Sequence, residues 1–430
     1  MARFVEVSVS YPIPHNWKWD SIGNYTKIKS GYPFDSEKFS DDPTGRQPLI
    51  RIRDILREST NTFTDECCPE EYIIHAGDIL IGMDGDFNVG KWNSDDALLN
   101  QRVCYIQSNS NCLLNDYLYY YLPGILKIIN NATPSVTVKH LSANTLRKTQ
   151  IPLPPLAEQQ RIVDRIESLF AKLDEAKEKA QAVVDSFETR KAAILHKAFT
   201  GELTAKWREE HGVGMESWEV RTLDSVCSSI FDGDHMPPPK AESGIPFLVI
   251  SNVNTGHLTF ENTRFVPQEY YDTLSDTRKP QLGDVLYTLV GSFGIPVVVN
   301  SKRPFCFQRH MALLRPIDVS PQFLWYILQT PEMYDKASSI ATGTAQLTVP
   351  IKGLRAMTIP RPNIAEQVEI VRILDGFFAR EQSAKEAAEA VLDQIDLMKK
   401  SILARAFRGE LGTNDPSEES AVELLRNSIN

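Results

Sequence analysis

Residues 151–203 and 359–411 are one segment written twice. The offset is 208 without a gap, and 25 of the 53 aligned positions are identical. Each copy begins with a proline-rich lead-in, IPLPP at 151–155 and IPRPN at 359–363. Proline fixes φ and lacks an N–H, so Pro152, Pro154 and Pro155 hold the chain extended and helix begins near Ala157. Apolar residues then recur in steps of four and three: Ile162, Ile166, Leu169, Leu173, Ala176, Ala180, Val183, Phe187, a break at Arg190, then Ile194. The second copy gives Ile370, Leu374, Phe377, a break at Glu381, then Ala384, Ala388, Val391, Ile395, Met398 and Ile402. A period near 3.5 residues held this long predicts a coiled-coil seam. The breaks carry opposite charges, which favours one orientation if the helices pack together. Gly201 and Gly409 fit helix C-caps. At about 1.5 Å per residue, roughly 44 helical residues make a rod about 65 Å long.

The duplication continues beyond the helices. Residues 15–150 and 216–358 each open near a tryptophan, Trp17 and Trp218. Each carries a β-rich stretch, PLIRIRDI at 48–55 and PFLVISNV at 246–253. A Gly-Asp turn, an apolar strand and a glycine loop follow at 77–90 and 283–294, then a Gln-Arg pair at 101–102 and 308–309. Amphipathic aromatic segments at 116–122 and 322–328 have the spacing of a helix core. The expected fold is mixed α+β. Two globular domains are separated by two long antiparallel coiled-coil helices in a pseudo-twofold repeat. The expected divisions are 1–150, 151–214 (helix plus the linker TAKWREEHGVG), 215–358, 359–411, and an acidic, partly disordered tail at 412–430. The helices stay similar while the globular parts share only scattered anchors. A common frame carrying two different readers suits a bipartite, asymmetric target.

Composition narrows the class. No run of about 18 apolar residues is present, so no transmembrane helix is expected, and MARFVEVSVSYPIPHNW has no secretory h-region. The six cysteines form no CxxC pair, which suits thiols in a reducing cytoplasm. The net charge of −10 opposes tight nucleic-acid binding by the chain alone. Residues 15–150 hold 14 Lys+Arg against 17 Asp+Glu, and residues 216–358 hold 12 against 14. Neither globular part is basic, so phosphate neutralisation must come largely from a partner.

The stretches IPLPPLAEQQRIV and AILHKAFTGELTAKWR, with ILARAFRGEL in the second copy, resemble the specificity subunits of type I restriction–modification systems. The resemblance covers nearly the whole chain. It departs at the second exit, which reads GELGTNDPSEES. It implies a non-catalytic chain that binds double-stranded DNA, with one target-recognition domain for each half of a split site. It also implies two docked methyltransferase subunits and, through them, motor–nuclease subunits. The partners would carry S-adenosylmethionine, ATP and Mg, with none of these on this chain. A coiled-coil adaptor that assembles proteins without reading DNA is the competing reading.

Catalytic signatures are missing: there is no Asn/Asp-Pro-Pro-aromatic motif and no glycine-rich S-adenosylmethionine loop. The stretch from Gly85 to Lys91 approaches a P-loop, but Trp92 stands where Ser or Thr is required. Phe231 to His235 contains ligand-type residues, but its Gly and Asp content marks a turn. In PLIRIRDI, alternation puts Arg51 and Arg53 opposite Ile50 and Ile52, with Asp54 and Arg57 at the strand end. Arginine suits guanine and a carboxylate suits cytosine. Ser251, Asn252 and Asn254 hold the corresponding place, where asparagine suits adenine. The loops Gly85-Asp86-Phe87-Asn88 (with Lys91) and Gly291-Ser292-Phe293 allow close backbone approach to a groove. An inward-packed phenylalanine in a plain turn is the alternative. Ser135, Thr137 and Lys139, and Thr342, Thr344 and Gln346, are candidate phosphate contacts, with His235 and Lys240 beside a triple proline.

Overall fold

The computed structural model describes residues 10–133, 138–233, 238–344, 346–420, 423 and 426. The chain forms two compact units, one of residues 1–180 with 390–430, the other of residues 181–389. Each unit therefore joins a globular part to the near half of one long helix and the far half of the other.

The first unit contains two four-stranded sheets. One is antiparallel, in the order Thr26–Ser30, Val103–Ser108, Ile79–Gly82, Val89–Lys91. The other is ordered Phe63–Thr64, Gln47–Ile50, Ala97–Leu99, Ile73–Ile74, with its two middle strands parallel. The second unit repeats the plan. Its antiparallel sheet runs Cys227–Asp232, Met311–Pro316, Val285–Thr288, Pro296–Val298. Its smaller sheet runs Arg264–Val266, Ile245–Leu248, Cys306–Phe307, again with one parallel pair. A two-stranded ribbon closes each globular part, Lys18–Ser21 on Gln150–Leu153 and Glu219–Thr222 on Thr358–Arg361. The ribbon sets each proline lead-in beside the start of its own globular part.

The aromatic segments are core helices, as their spacing predicts. Tyr117, Leu118, Tyr121 and Leu122 are buried on Asn115–Ala132, and Phe323, Leu324, Tyr326 and Ile327 on Pro321–Leu328. The Tyr117 and Tyr121 hydroxyls donate to the carbonyls of Pro152 and Gln150 at 2.8 and 2.7 Å, so the core tyrosines satisfy the lead-in backbone.

The first long segment is helical over Leu156–Asp185 and Phe187–Phe199, interrupted at Ser186, whose hydroxyl donates back to the Ala182 carbonyl. The second, Ile364–Ala406, is continuous. Gly201 (φ 84°) and Gly409 (φ 74°) end them in the left-handed region, as predicted for C-caps. Within each unit the helical halves pack antiparallel. In the first, Lys399 meets Asp174 at 2.5 Å and lies over the Phe170 ring. In the second, Arg190 meets Glu381 at 2.7 Å, so the two oppositely charged seam breaks face each other.

Ile162, Ile166, Ile370, Leu374 and Ile395 are buried, and Leu169, Leu173, Val183, Phe187 and Phe377 half-buried. Val391 departs from its predicted seam position and is 40% exposed. Ala388, Ile395 and Ile402 keep their predicted places on the inward face, while Val391 and Met398 give way to Leu392 and Lys399, each one residue later. A straight helix turns every 3.6 residues, so a strict heptad stripe drifts away from the contact line.

The duplicated Ala-Glu-Gln triplets close each unit. Gln159 accepts from Leu114 N at 2.8 Å and donates to the Cys112 and Pro154 carbonyls. Gln367 accepts from Ser320 N at 2.9 Å and donates to the Pro362 carbonyl. These glutamines tie each helix start to its globular part. The glutamates hold the exit of the other helix. Glu366, fully buried, accepts from Thr204 Oγ1 and Arg208 Nη1, both at 2.6 Å, and from Trp218 Nε1 at 2.9 Å. Glu158 accepts from Thr413 Oγ1 at 2.6 Å and from Arg161.

Two expectations change here. The linker at 204–214 forms a helix, Ala205–His211, because Arg208 is drawn inward by Glu366. Within the tail, residues 413–418 are held by side-chain contacts to the rest of the first unit. Arg161 pairs with Glu418, Asn16 donates to the Asp415 carbonyl, and Trp17 Nε1 donates to Asn414. Different residues at the second exit thus reach the same buried glutamate position.

Candidate nucleic-acid interface

In the first unit the strand Gln47–Ile50 stops short of the arginines and turns into a 3₁₀ segment, Ile52–Asp54. Asp54 causes the turn. It is buried and accepts from Arg51 N at 2.9 Å and Thr60 Oγ1 at 3.1 Å. It is therefore a folding residue rather than a base acceptor. Arg51 and Arg53 are exposed as predicted, but from a turn and not from one face of a strand. Arg53 donates to Thr62 Oγ1 at 2.9 Å, and Arg51 lies 5.7 Å from the Phe39 ring centre. Gly90 admits the turn closely; a Cβ there would lie 2.6 Å from the Ile55 carbonyl oxygen.

The second unit builds the same turn at Ile250–Asn252. Asn252 is buried, accepting from Val249 N and donating to the Glu261 carbonyl, each at 3.0 Å. It too is spent on the backbone, whereas Ser251 and Asn254 remain exposed.

Both glycine loops turn their phenylalanine inward, the alternative left open above. Phe87 is buried at φ 53°, and Phe293 is buried and stacked on Tyr334 at 5.4 Å. Neither ring is available to DNA. Asp86, Gly291 and Ser292 are exposed; Gly85 and Asn88 are partly so. Lys91 is taken up by Asp116, and Lys139 donates to the Asn130 carbonyl at 2.7 Å near the end of its helix, so both cations serve the fold. Arg57, Lys240, Thr342, Thr344 and Gln346 are exposed. Ser135, Thr137 and His235 lie outside the described residues.

The structure gathers part of the predicted set into one cleft per unit. In the first, a cleft of about 510 Å³ is lined by Arg51, Arg53 and Asn88 together with Phe39, Gln101 and Arg102. In the second, a cleft of about 380 Å³ brings Gln346 together with Arg309 and His310. Burial, and then the charge of Arg309, holds the His310 imidazolium below the usual histidine range. The Gln-Arg pairs were not among the predicted site residues, although their repetition in both halves was the available signal. Ser251 and Asn254 do not line the second cleft. Each cleft thus presents cationic and amide side chains, chemistry that suits base edges and phosphates.

The sequence profile described as the type I restriction modification DNA specificity domain matches residues 14–184 and 215–392. The chain is 33% identical over 414 residues to the type I restriction enzyme EcoBI specificity subunit of Escherichia coli, covering 93% of this chain and 87% of that one. It is 26% identical to the EcoKI specificity subunit of Escherichia coli K12, covering 93% and 90%. Among solved structures, the fold is similar to the HsdS subunit from Thermoanaerobacter tengcongensis (TM-score 0.62, 21% identity, 93% and 99% covered). It is also similar to a chain from a study of assembly and conformational transition in the type I R-M system (TM-score 0.69, 21% identity, 94% and 100% covered). The chain belongs to the type I restriction–modification specificity-subunit family, whose members supply DNA specificity and not catalysis. No helix among the described residues is long and apolar enough to cross a membrane.

Proposed function

We propose that each globular part reads one half of a split, asymmetric DNA site, and that the long helices dock two methyltransferase subunits and set the spacing between half-sites. The observation that carries this reading is that the two globular parts repeat one backbone plan while exposing different side chains. Their clefts share the segment around the Gln-Arg pair and otherwise draw on different elements, with Arg51, Arg53, Asn88, Gln101 and Arg102 in one and Arg309, His310 and Gln346 in the other. Equivalent frames with unlike readers give an asymmetric motif.

The partners would place S-adenosylmethionine at an adenine in each half-site, and motor–nuclease subunits would bring ATP and Mg. Arg57, Lys240, Thr342 and Thr344, exposed outside the clefts, suit phosphates. With a net charge of −10, the chain alone binds DNA weakly and with strong salt dependence, and tight binding requires the assembled complex in the cytoplasm.

Co-expression with the methyltransferase subunits, followed by mapping of methylated adenines, tests the reading. A two-part motif that changes in one half when residues 15–150 are exchanged supports it. Methylation indifferent to this chain refutes it and favours the adaptor.

A further inference from the structure

The first unit contains a charged cluster that the cleft itself does not explain. Asp84, only 18% exposed at its side chain, accepts from Arg102 Nη1 at 2.8 Å on one carboxylate oxygen and meets His140 Nδ1 at 2.7 Å on the other. Arg102 and His140 are both more than half exposed. The backbone beneath is a closed junction: Met83 N donates to the Arg102 carbonyl at 3.0 Å, Leu141 N donates to Met83 at 2.7 Å, and Asp84 bridges His140.

The second unit keeps the junction and lacks the acid. Leu289 N donates to His310, Val349 N donates to Leu289, and Val290 bridges Thr348 at the places of Asp84 and His140. The carboxylate is therefore not needed to build this corner of the fold. A largely shielded acid in a DNA-facing site also opposes phosphate binding, so its presence calls for another role.

We infer that Asp84 is a specificity-positioning residue: it locks the Arg102 guanidinium and the His140 ring in one orientation, so that the first unit discriminates a single base pair through Arg102. This rests on the two-reader proposal above. A free arginine samples many rotamers and contacts phosphate or base alike. One tied at Nη1 keeps its remaining N–H groups in a fixed direction, which is what guanine O6/N7 recognition requires. With Nδ1 turned to Asp84, the His140 ring has only Nε2 left for DNA.

The test is adenine-methylation mapping over a randomised site library, using the full chain assembled with its methyltransferase subunits as wild type, R102A, D84A and D84N. R102A should lower discrimination at one base pair by about 5- to 150-fold. D84A should lower discrimination at the same base pair by roughly 10-fold and raise methylation of sites mismatched there, because repulsion of phosphate is removed. D84N, which keeps an acceptor but not the charge, should fall between. The half-site read by the second unit should be unchanged in all three, which also reports folding. If D84A fails to fold, D84N decides.

Uniform loss of methylation with base preference intact would reduce Asp84 to a structural part and overturn the inference. So would a D84A change at a base pair other than that of R102A. A wild-type complex without a two-part motif would instead overturn the two-reader proposal itself.

Discussion

Replacing Glu366 by glutamine keeps the side-chain shape and removes the charge that closes the second unit. Arg208 is 8% exposed at its side chain, and its ion-pair partner is the fully buried Glu366. It also donates to the Gly201 carbonyl at 2.6 Å and Thr204 Oγ1 at 3.0 Å, so it cannot swing to solvent without breaking the helix exit. Removing one member of such a buried pair costs about 3–5 kcal/mol, because the remaining charge is left uncompensated. A domain typically has about 5–15 kcal/mol in total, so the second unit should unfold well before the first. The counterpart E158Q should cost less, about 1–3 kcal/mol, since Arg161 is 37% exposed and keeps Glu418 at 2.7 Å. Urea titration followed by tryptophan fluorescence reports both units, through Trp17, Trp19 and Trp92 in the first and Trp207, Trp218 and Trp325 in the second. The second unit's phase is the one changed by E366Q and weakened by Trp218→Phe, since Trp218 donates directly to Glu366. The double variant R208M/E366L, with no buried charge left, should recover most of the loss. E366Q within 1 kcal/mol of wild type (roughly, given extrapolation error), or a double variant no better than E366Q, would refute the assignment of the cost to the orphaned guanidinium.

Four further outcomes follow from named contacts. Burial raises the Glu158 carboxyl above the ordinary range against its Thr413 and Arg161 hydrogen bonds. The folded state then holds that proton more tightly than the unfolded chain. Its contribution is full below the ordinary carboxylate pKa and is lost as pH rises through the raised value, so the stability of wild type relative to E158Q should fall across that window. F87A should cost about 3–5 kcal/mol in thermal or urea unfolding through a core cavity, while the salt slope of DNA binding by the complex stays unchanged. R190E and E381R should each lower stability by about 1 kcal/mol, with the exchanged pair R190E/E381R restoring it in a double-mutant cycle. Deleting matched heptads from both long helices should change the spacer of the methylated motif but not its half-sites; altered base preference at constant spacing would contradict the ruler role.

The duplicated segment determined much by itself. Proline lead-ins, glycine stops and helical period are local signals, and they placed both helices, their ends and the aromatic core helices correctly. The opposed charges at Arg190 and Glu381 were legible too, because a seam break can be located from period alone. What period could not fix was the late register, where Val391 yields to Leu392; that depends on how a 3.6-residue turn meets a particular partner.

The candidate site was legible only in part. Arg51, Arg53, Asn88 and Gln346 were singled out from residue type and repeat position, and the structure sets each of them in the lining of a cleft. Asp54 and Asn252 have the same chemistry as base readers, yet the fold buries them as caps on their own turns. Phe87 and Phe293 likewise serve packing. Whether a polar side chain faces solvent or its own backbone is decided by hydrogen-bond geometry across residues distant in sequence. The same holds for the Ala-Glu-Gln triplets: sequence showed that they repeat, and only tertiary contact, Glu366 with Arg208 and Glu158 with Thr413, showed what each repeat holds. Helical frame is a short-range property written residue by residue, whereas the choice between reader and cap is made when strands, turns and loops converge and each buried polar group must find a partner.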